Sequence, residues 1–447
     1  MIAAARGGSH GRGARDAQFR TPIPPPNRPP RVAPRGRIVR PMTKKRIDRI
    51  EVAGRRVFVR VDFNVPMEAG EITDDRRIKA SLRTIRSVLS RGGRAVLASH
   101  LGRPEGKGYE AEFSLAPVAR RLAELLGADA PHGVAFPSQD PTDDAARAAI
   151  GAMPERGVVL LENLRFAKGE KKGDAGFASK LAGLCDIYVN DAFGTSHRAD
   201  ASMYALPMAM RARGAPCVSG FLLDAELEYL IQRIAAAQRP FLAILGGAKV
   251  SDKILAIENL MSKVDRLIVG GAMAYTFLRA QGVPTGNSLV ETDRVDLARE
   301  ILAKAAAKGC EFLLPTDHAC GREFKAGTET ATVEGAIPDG WMGLDIGPAT
   351  RERFGAAIRS SRTIVWNGPM GVFEMPPFDA GTRAVAAAVV DATVAGATTI
   401  AGGGDTAAAV EEFGVAEKLS HVSTGGGASL EVLEGKHLVC LDALDDA

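Results

Sequence analysis

The sequence has no apolar run approaching the ~18 residues that a membrane helix needs, so no membrane role is expected. Its five cysteines, Cys185, Cys217, Cys310, Cys320 and Cys440, are scattered, odd in number and form no C-x-x-C. Such spacing suggests neither a zinc site nor a disulfide framework and fits a reducing cytosol. Aromatic residues are only 5%, so the core must be built from Ala, Val, Leu and Ile. Familiar catalytic signatures are missing too. There is no G-x-x-x-x-G-K-[ST], which excludes a Walker-type phosphate loop. No G-x-G-x-x-G follows the first expected strand, which counts against a dinucleotide dehydrogenase. H-E-x-x-H and G-x-S-x-G are absent as well. The N-terminus has no apolar core of signal-peptide length, and a cytoplasmic protein is expected.

What is present is a chain of 447 residues, 46% hydrophobic and 25% charged, long enough for two domains with large cores. The net charge of +4 conceals an asymmetry. Residues 1–41 hold nine Arg, no Lys and one acid, Asp16, so they carry +8 and leave −4 for the remainder. The basic character therefore belongs to a tail and argues against nucleic-acid binding by a folded surface. That tail is dense in Pro and Gly and holds few large apolar residues, so it cannot offset its own ordering entropy and is expected to be disordered. Met42 stands where ordinary globular sequence begins. Residues 1–41 read as an upstream start or a segment without function. Arginine richness would suit a transit peptide, but dense proline opposes the amphipathic helix that one needs.

From Val57 onward, short apolar runs alternate with helical stretches. The runs fall at residues 57–61, 95–99, 158–161, 187–189, 241–245, 267–269, 312–314, 363–366 and 398–401. Alternation of this kind indicates βαβ units and parallel sheets. Roughly half the runs lie on each side of residue 230, which predicts an α/β protein with two doubly wound parallel-sheet domains of similar size. Between them, at residues 221–237, Leu223, Leu227, Leu230 and Ile231 recur at helical spacing. This segment reads as an amphipathic connecting helix, either a hinge or an ordinary surface helix.

Ligands of open α/β sheets bind beyond the carboxyl ends of the strands. In the first half these ends are basic: Arg60 to Pro66 with Arg77 close behind, then His100-Leu101-Gly102-Arg103, Leu164-Arg165-Phe166, and Gly194 to Arg198. Any one arginine reads most simply as a solvated charge. Several at one sheet edge imply a small, multiply anionic ligand, since guanidinium suits bidentate contact with phosphate and carboxylate. In the second half the ends are glycine-rich: Gly246-Gly247, Gly270-Gly271, Asn367 to Glu374, Gly402-Gly403-Gly404-Asp405-Thr406, and Ser423 to Ser429. Glycine lets backbone N–H groups approach phosphate. Asp405 after a glycine triplet can hold Mg²⁺, directly or through water.

Ten ordered motifs, RVDFNVP, RIKA, SHLGRP, LLENLRF, NDAFGTSHR, FLAILGGAKVSDKI, IVGGAMAYTFL, IVWNGPMGVFE, GGGDT and SHVSTGGGASLE, strongly resemble phosphoglycerate kinases, from about Lys44 to about Ala443. The resemblance implies reversible phosphoryl transfer between 1,3-bisphosphoglycerate and ADP, giving 3-phosphoglycerate and ATP, by a monomer that uses Mg²⁺ with ADP or ATP. It implies a phosphoglycerate-binding domain at residues 42–220, the connecting helix at 221–237, a nucleotide-binding domain at 238–435, and residues 436–447 returning to pack on the first. The positions matching the family's substrate site are Asp62, Asn64, Arg77, His100, Arg103, Arg165, His197 and Arg198. Those matching its nucleotide site are Lys249, Lys253, Gly270, Gly271, Asn367, Pro369, Glu374, Gly402, Gly403, Gly404, Asp405 and Thr406, with Glu374 toward the ribose and Asp405 toward the metal. Arg77 and Lys253 are the expected catalytic pair. One departure is Asp200, where many family members carry His; it puts the local electrostatics beside Arg198 in question. The other is the tail, which has no counterpart in the family core.

Three competing readings are weaker. An oxidoreductase of similar fold lacks its fingerprint. A scaffold that has lost activity would not need every polar ligand residue, and all are present. Nucleic-acid binding would rest on the tail alone.

Overall fold

The computed structural model describes residues 43–447; the expectations for residues 1–41 lie outside the described residues. Two six-stranded sheets organise it. The first contains β1 (Arg56–Val61), β2 (Arg94–Ala98), β3 (Val134–Ala135), β4 (Val158–Leu160), β5 (Ile187–Asp191) and β6 (Cys217–Ser219), in the order β3-β4-β2-β1-β5-β6. The second contains β7 (Phe241–Leu245), β8 (Arg266–Val269), β9 (Glu311–Leu313), β10 (Thr363–Asn367), β11 (Thr398–Ala401) and β12 (His421–Val422), in the order β9-β8-β7-β10-β11-β12. Every strand pairing in both sheets is parallel. In each sheet the chain starts in the middle and winds outward both ways. A topological switch point results between β1 and β5 and another between β7 and β10, the places where open α/β sheets bind ligands.

The central strands are buried on both faces, as parallel sheets covered by helices must be. β1 shows how the sequence achieves this. Val57, Val59 and Val61 join one apolar cluster with Ile78 and Ile85 of helix α1 (Arg76–Ser90), while Phe58 joins another on the opposite face. The period of two sends alternate side chains to opposite faces. The connecting segment begins as α2 (Phe221–Leu227) and continues through a wider π turn at Glu228–Arg233. Its Leu223, Leu227 and Leu230 are buried in the same cluster as Phe58 and Tyr188 from the first sheet and Ala243 and Leu245 from the second. The helix is thus a shared wall, with apolar packing continuous through it.

Two features were not legible. The strands Val134–Ala135, Cys217–Ser219 and His421–Val422 are too short to stand out as apolar runs. A three-stranded antiparallel sheet of Asp317–Gly321, Thr330–Glu334 and Met342–Ile346 interrupts the parallel pattern of the second half. Its outer strand Thr330–Glu334 alternates between exposed and half-buried residues and offers no apolar signal. At the other end of the chain, Asp445 N–H donates to Cys217 O at 2.7 Å, Lys45 N–H donates to Asp445 O at 2.8 Å, and Lys44 pairs with Asp446 at 2.7 Å. The C-terminus is thereby tied to edge strand β6 and to the segment that precedes β1.

The packing makes a direct expectation for stability. Leu97, in β2, is fully buried. Leu97→Ala should destabilise the protein by about 2–5 kcal/mol, through lost burial plus the cavity left behind. Val394, 84% exposed at a helix end, should tolerate Val394→Ala within about 0.5 kcal/mol. Urea unfolding of both variants checks this; equal midpoint shifts would contradict the burial pattern.

Candidate active site

Above the first switch point, Asp62 follows β1 and Gly194 follows β5. A Cβ on Gly194 would lie 2.7 Å from Asp62 Oδ2, so only glycine leaves the carboxylate its place. Arg77, in the first turn of α1, donates from Nη1 to Asp62 Oδ2 at 2.8 Å. Asn64 Oδ1 accepts from Gly102 N–H at 2.8 Å and so shapes the loop after β2. Arg165 grips the same loop from below, donating from Nη1 to Gly102 O at 2.7 Å.

Arg165 is 5% exposed, yet its Nε and Nη2 have no hydrogen-bond partner among the described residues. Leaving buried charged donors unmatched costs on the order of 1–3 kcal/mol or more. Burial, then the nearby charge of Arg198, brings the Arg165 pKa down to about 10. His100 is almost wholly buried as well. Its pKa is driven well below the usual histidine value by burial first, and then by the positive charges of Arg60, Arg165, Arg198 and Arg77. Four guanidiniums therefore act on one neutral ring. His197 is similar in kind: burial lowers its pKa, and its Nδ1 is buried without a partner among the described residues. Arg103 and Arg198 are exposed, with Arg198 Nε 3.1 Å from His197 Nε2. Asp200 is buried, and its charge raises the pKa of both Arg165 and His197. The unusual acid therefore moderates the cluster at Arg165 as well as beside Arg198.

Arg60 was counted among the basic strand ends but not among the site residues; it is fully buried in β1. Its Nε donates to Ser202 Oγ at 2.9 Å, its Nη1 bonds Val61 O, and its Nη2 lies 3.2 Å from His100 Nδ1. Ser202 in turn donates from Oγ to Glu170 Oε1 at 2.5 Å and from its backbone to Oε2 at 3.0 Å. The available signal was a charge in the middle of an otherwise apolar strand, VFVRV. Glu226 of α2 was also passed over. Its buried carboxylate accepts from Thr424 N–H at 2.9 Å and pairs with His421 Nε2 at 2.9 Å, joining the connecting helix to the loop after β12.

Above the second switch point, backbone meets backbone. Gly246 N–H donates to Asn367 O at 3.0 Å and Gly271 N–H to Met370 O at 3.0 Å. Gly271 has φ +67°, and a Cβ there would lie 2.5 Å from Gly247 N, so the turn admits glycine alone. Gly403, with φ +92°, starts helix α3 (Gly404–Glu412). Gly368 N–H donates to Thr406 Oγ1 at 2.6 Å, locking α3 to the end of β10. Lys253 Nζ donates to Asn367 Oδ1, while Asn367 Nδ2 is buried without a partner among the described residues. Burial lowers the Lys253 pKa, partly offset by Asp405, Asp252 and Glu434. The structure thus brings together Lys253, Asn367, Pro369, Gly402 to Thr406 and, across the turn, Gly270 and Gly271. Lys249 and Glu374 are exposed and form no hydrogen bond among the described residues.

No group of three or more His, Cys, Asp or Glu side chains among the described residues could by itself hold a metal ion. Asp405 offers one exposed carboxylate in the first turn of α3, within the field of Lys253. A single carboxylate suits Mg²⁺, which keeps several waters and takes other oxygens from substrate phosphates. Between the two halves lies a cavity of about 700 Å³, with Arg76 and Arg77 on one wall and Gly404, Ala407 and Thr424 on the other.

Comparison with known proteins shows the family and the fold. The family model described as phosphoglycerate kinase matches residues 47–436. The chain belongs to the phosphoglycerate kinase family. It is 53% identical over 410 residues to the phosphoglycerate kinase of Rhodopirellula baltica, covering 91% of this chain and all of that protein. It is 50% identical over 399 residues to the cytosolic phosphoglycerate kinase of Nicotiana tabacum, covering 89% of this chain and 97% of that one. Among solved structures, the phosphoglycerate kinase of Coxiella burnetii superposes with a TM-score of 0.79 at 40% identity, over 90% of this chain and 98% of that chain. That of Pyrococcus horikoshii superposes with a TM-score of 0.77 at 32% identity, over 89% and 98%. Both the resemblance read from the motifs and the expected pair of parallel-sheet α/β domains hold. As a member of the family the chain is a transferase of glycolysis, moving a phosphoryl group reversibly between 1,3-bisphosphoglycerate and ADP with Mg²⁺-bound nucleotide.

The buried neutral state of His100 has a consequence for stability. Its folded pKa lies below the unfolded value of about 6.5. As pH falls below that value, the unfolded chain takes up a proton that the folded chain refuses, so stability is lost. His100→Gln should therefore show a shallower loss of stability between pH 6.5 and 5 than the parent. Urea midpoints across that range test this; parallel curves would contradict it.

Proposed function

We propose that the two half-sites divide the reaction, the first half holding phosphoglycerate and the second holding Mg-nucleotide, and that the transfer takes place when they close. The observation carrying this reading is the pair of buried, unpartnered nitrogens on Arg165 in the field of Arg198 and Arg60. An anion with a carboxylate at one end and a phosphate at the other would satisfy them. In this reading Asp62, Asn64, Arg103, Arg165, His197 and Arg198 bind and orient the substrate, with neutral His100 as a hydrogen-bonding wall. Lys249, Gly270, Gly271, Asn367, Pro369 and Gly402 to Thr406 cradle the nucleotide, and Glu374 meets its ribose.

The chemistry asks little of a base. A β-phosphate oxygen of ADP attacks the phosphorus of the acyl phosphate, the bond from phosphorus to the carboxyl oxygen breaks, and the 3-phosphoglycerate carboxylate leaves with the electron pair. A carboxylate is already a good leaving group, so the rate depends on alignment and on stabilising negative charge spread over the transferring group. Arg77 from one side and Lys253 from the other would supply that stabilisation. Mg²⁺ held at Asp405 would neutralise nucleotide phosphate charge. Closure would exclude water from the acyl phosphate. The relatives in Nicotiana tabacum and Triticum aestivum are named cytosolic, and a monomer acting in the cytoplasm is the matching reading here.

Arg77→Ala should lower kcat on the order of 10²–10³-fold, the scale for loss of one oxyanion donor, with little change in nucleotide affinity. A tenfold or smaller change would sink its role. Asp405→Ala should weaken Mg-nucleotide binding and leave 3-phosphoglycerate binding nearly intact. Calorimetric titration of each ligand separately reads both, without relying on turnover. Equal losses for the two ligands would show that Asp405 serves the fold instead.

A further inference from the structure

Arg76 and Arg77 are neighbours at the start of α1, yet their guanidiniums go to different halves of the molecule. Arg77 bonds Asp62 within the first half. Arg76 crosses the cavity: its Nη1 donates to Ala407 O at 3.3 Å and lies 4.0 Å from Glu411 Oε1. Both acceptors belong to α3, the helix whose first turn carries Asp405. The crossing is prepared in advance by Asp74. That carboxylate accepts from Arg76 Nε at 2.7 Å and approaches Nη2 at 2.5 Å, while its other oxygen accepts from Arg76 backbone N–H at 2.9 Å. The hydrogen bond to Arg76 holds the Asp74 carboxyl below the usual carboxylate range, so it stays charged throughout the neutral region. With its rotamers already restricted from its own side, the arginine needs little further ordering to reach across.

We propose that Arg76 is a positioning residue, a clasp that sets the distance between the helix bearing Arg77 and the helix bearing Asp405. The proposal rests on the division of half-sites given above. Arg76 is half-exposed, so the clasp is weak enough to open and re-form during turnover. An ion pair of this kind shifts a two-state population by roughly 2–5-fold. It acts on the approach of donor and acceptor oxygens, where small misplacements are felt strongly in rate. It touches neither substrate.

The test is an interlobe distance in the ligand-free, full-length protein. All five native cysteines are buried, so a label pair at Lys107→Cys and Asp293→Cys, both on exposed side chains, reports one distance between the halves. Arg76→Gln should broaden that distribution toward larger separations. Glu411→Gln should do so more weakly, and more at low salt than at high salt, since salt weakens attraction between exposed charges. The Arg76→Gln protein, unlabelled and with an unchanged melting temperature, should lose roughly 2–5-fold in kcat/KM, with KM rising for both substrates together. An unchanged distance distribution would overturn the clasp, whatever happens to the rate. A widened distribution with unchanged or faster kinetics would overturn its role in positioning. Failure of the Arg77 and Asp405 assignments would leave the distance measurement untouched, so the two readings fail separately.

Discussion

Positive charge without enough negative partners governs this molecule. Arg60, Arg165, Arg198 and Arg77 all act on His100, and two nitrogens of the buried Arg165 face no acceptor among the described residues. Like charges gathered in a partly dry site repel, so they can be held only by a rigid frame. The frame is visible in detail. Glu170 and Ser202 anchor Arg60, Asp62 anchors Arg77, Asp200 tempers Arg165, and the loop at Gly102 is gripped from two sides. The first half thus holds its cations together against their mutual repulsion.

The second half solves a related problem without cations in bulk. Its turns press backbone against backbone at Gly246 and Gly271, and backbone against the Asn367 side chain at Gly403, where α3 begins. Lys253 adds a half-buried positive charge, softened by burial and bonded to Asn367. One side is therefore rich in side-chain charge and the other in close-packed backbone. The two sides meet across a cavity that Arg76 spans, while Glu226 ties the connecting helix to Thr424 on one wall.

Much of this could be read from the sequence because parallel strands announce themselves. β7 and β11 fall on the expected residues, and β1, β2, β4, β5 and β10 begin or end within two. Glycines required by positive φ, such as Gly271 and Gly403, stood in motifs. The rest was hidden for physical reasons. Strands of two or three residues carry no periodicity, and Thr330–Glu334 never enters a core. Buried polar residues such as Arg60, Glu170 and Glu226 look like surface charges until their partners, distant in sequence, are placed beside them. Arg76 was overlooked because its contact lies 331 positions away, at Ala407.

The central claim is that catalysis awaits the meeting of two half-sites carried on separate sheets. Small-angle scattering in four states tests it most directly: ligand-free, with 3-phosphoglycerate alone, with Mg-nucleotide alone, and with both. The account predicts a clear fall in radius of gyration only when both ligands are present, with a much smaller change for either one. Full compaction by a single ligand, or none with both bound, would contradict it.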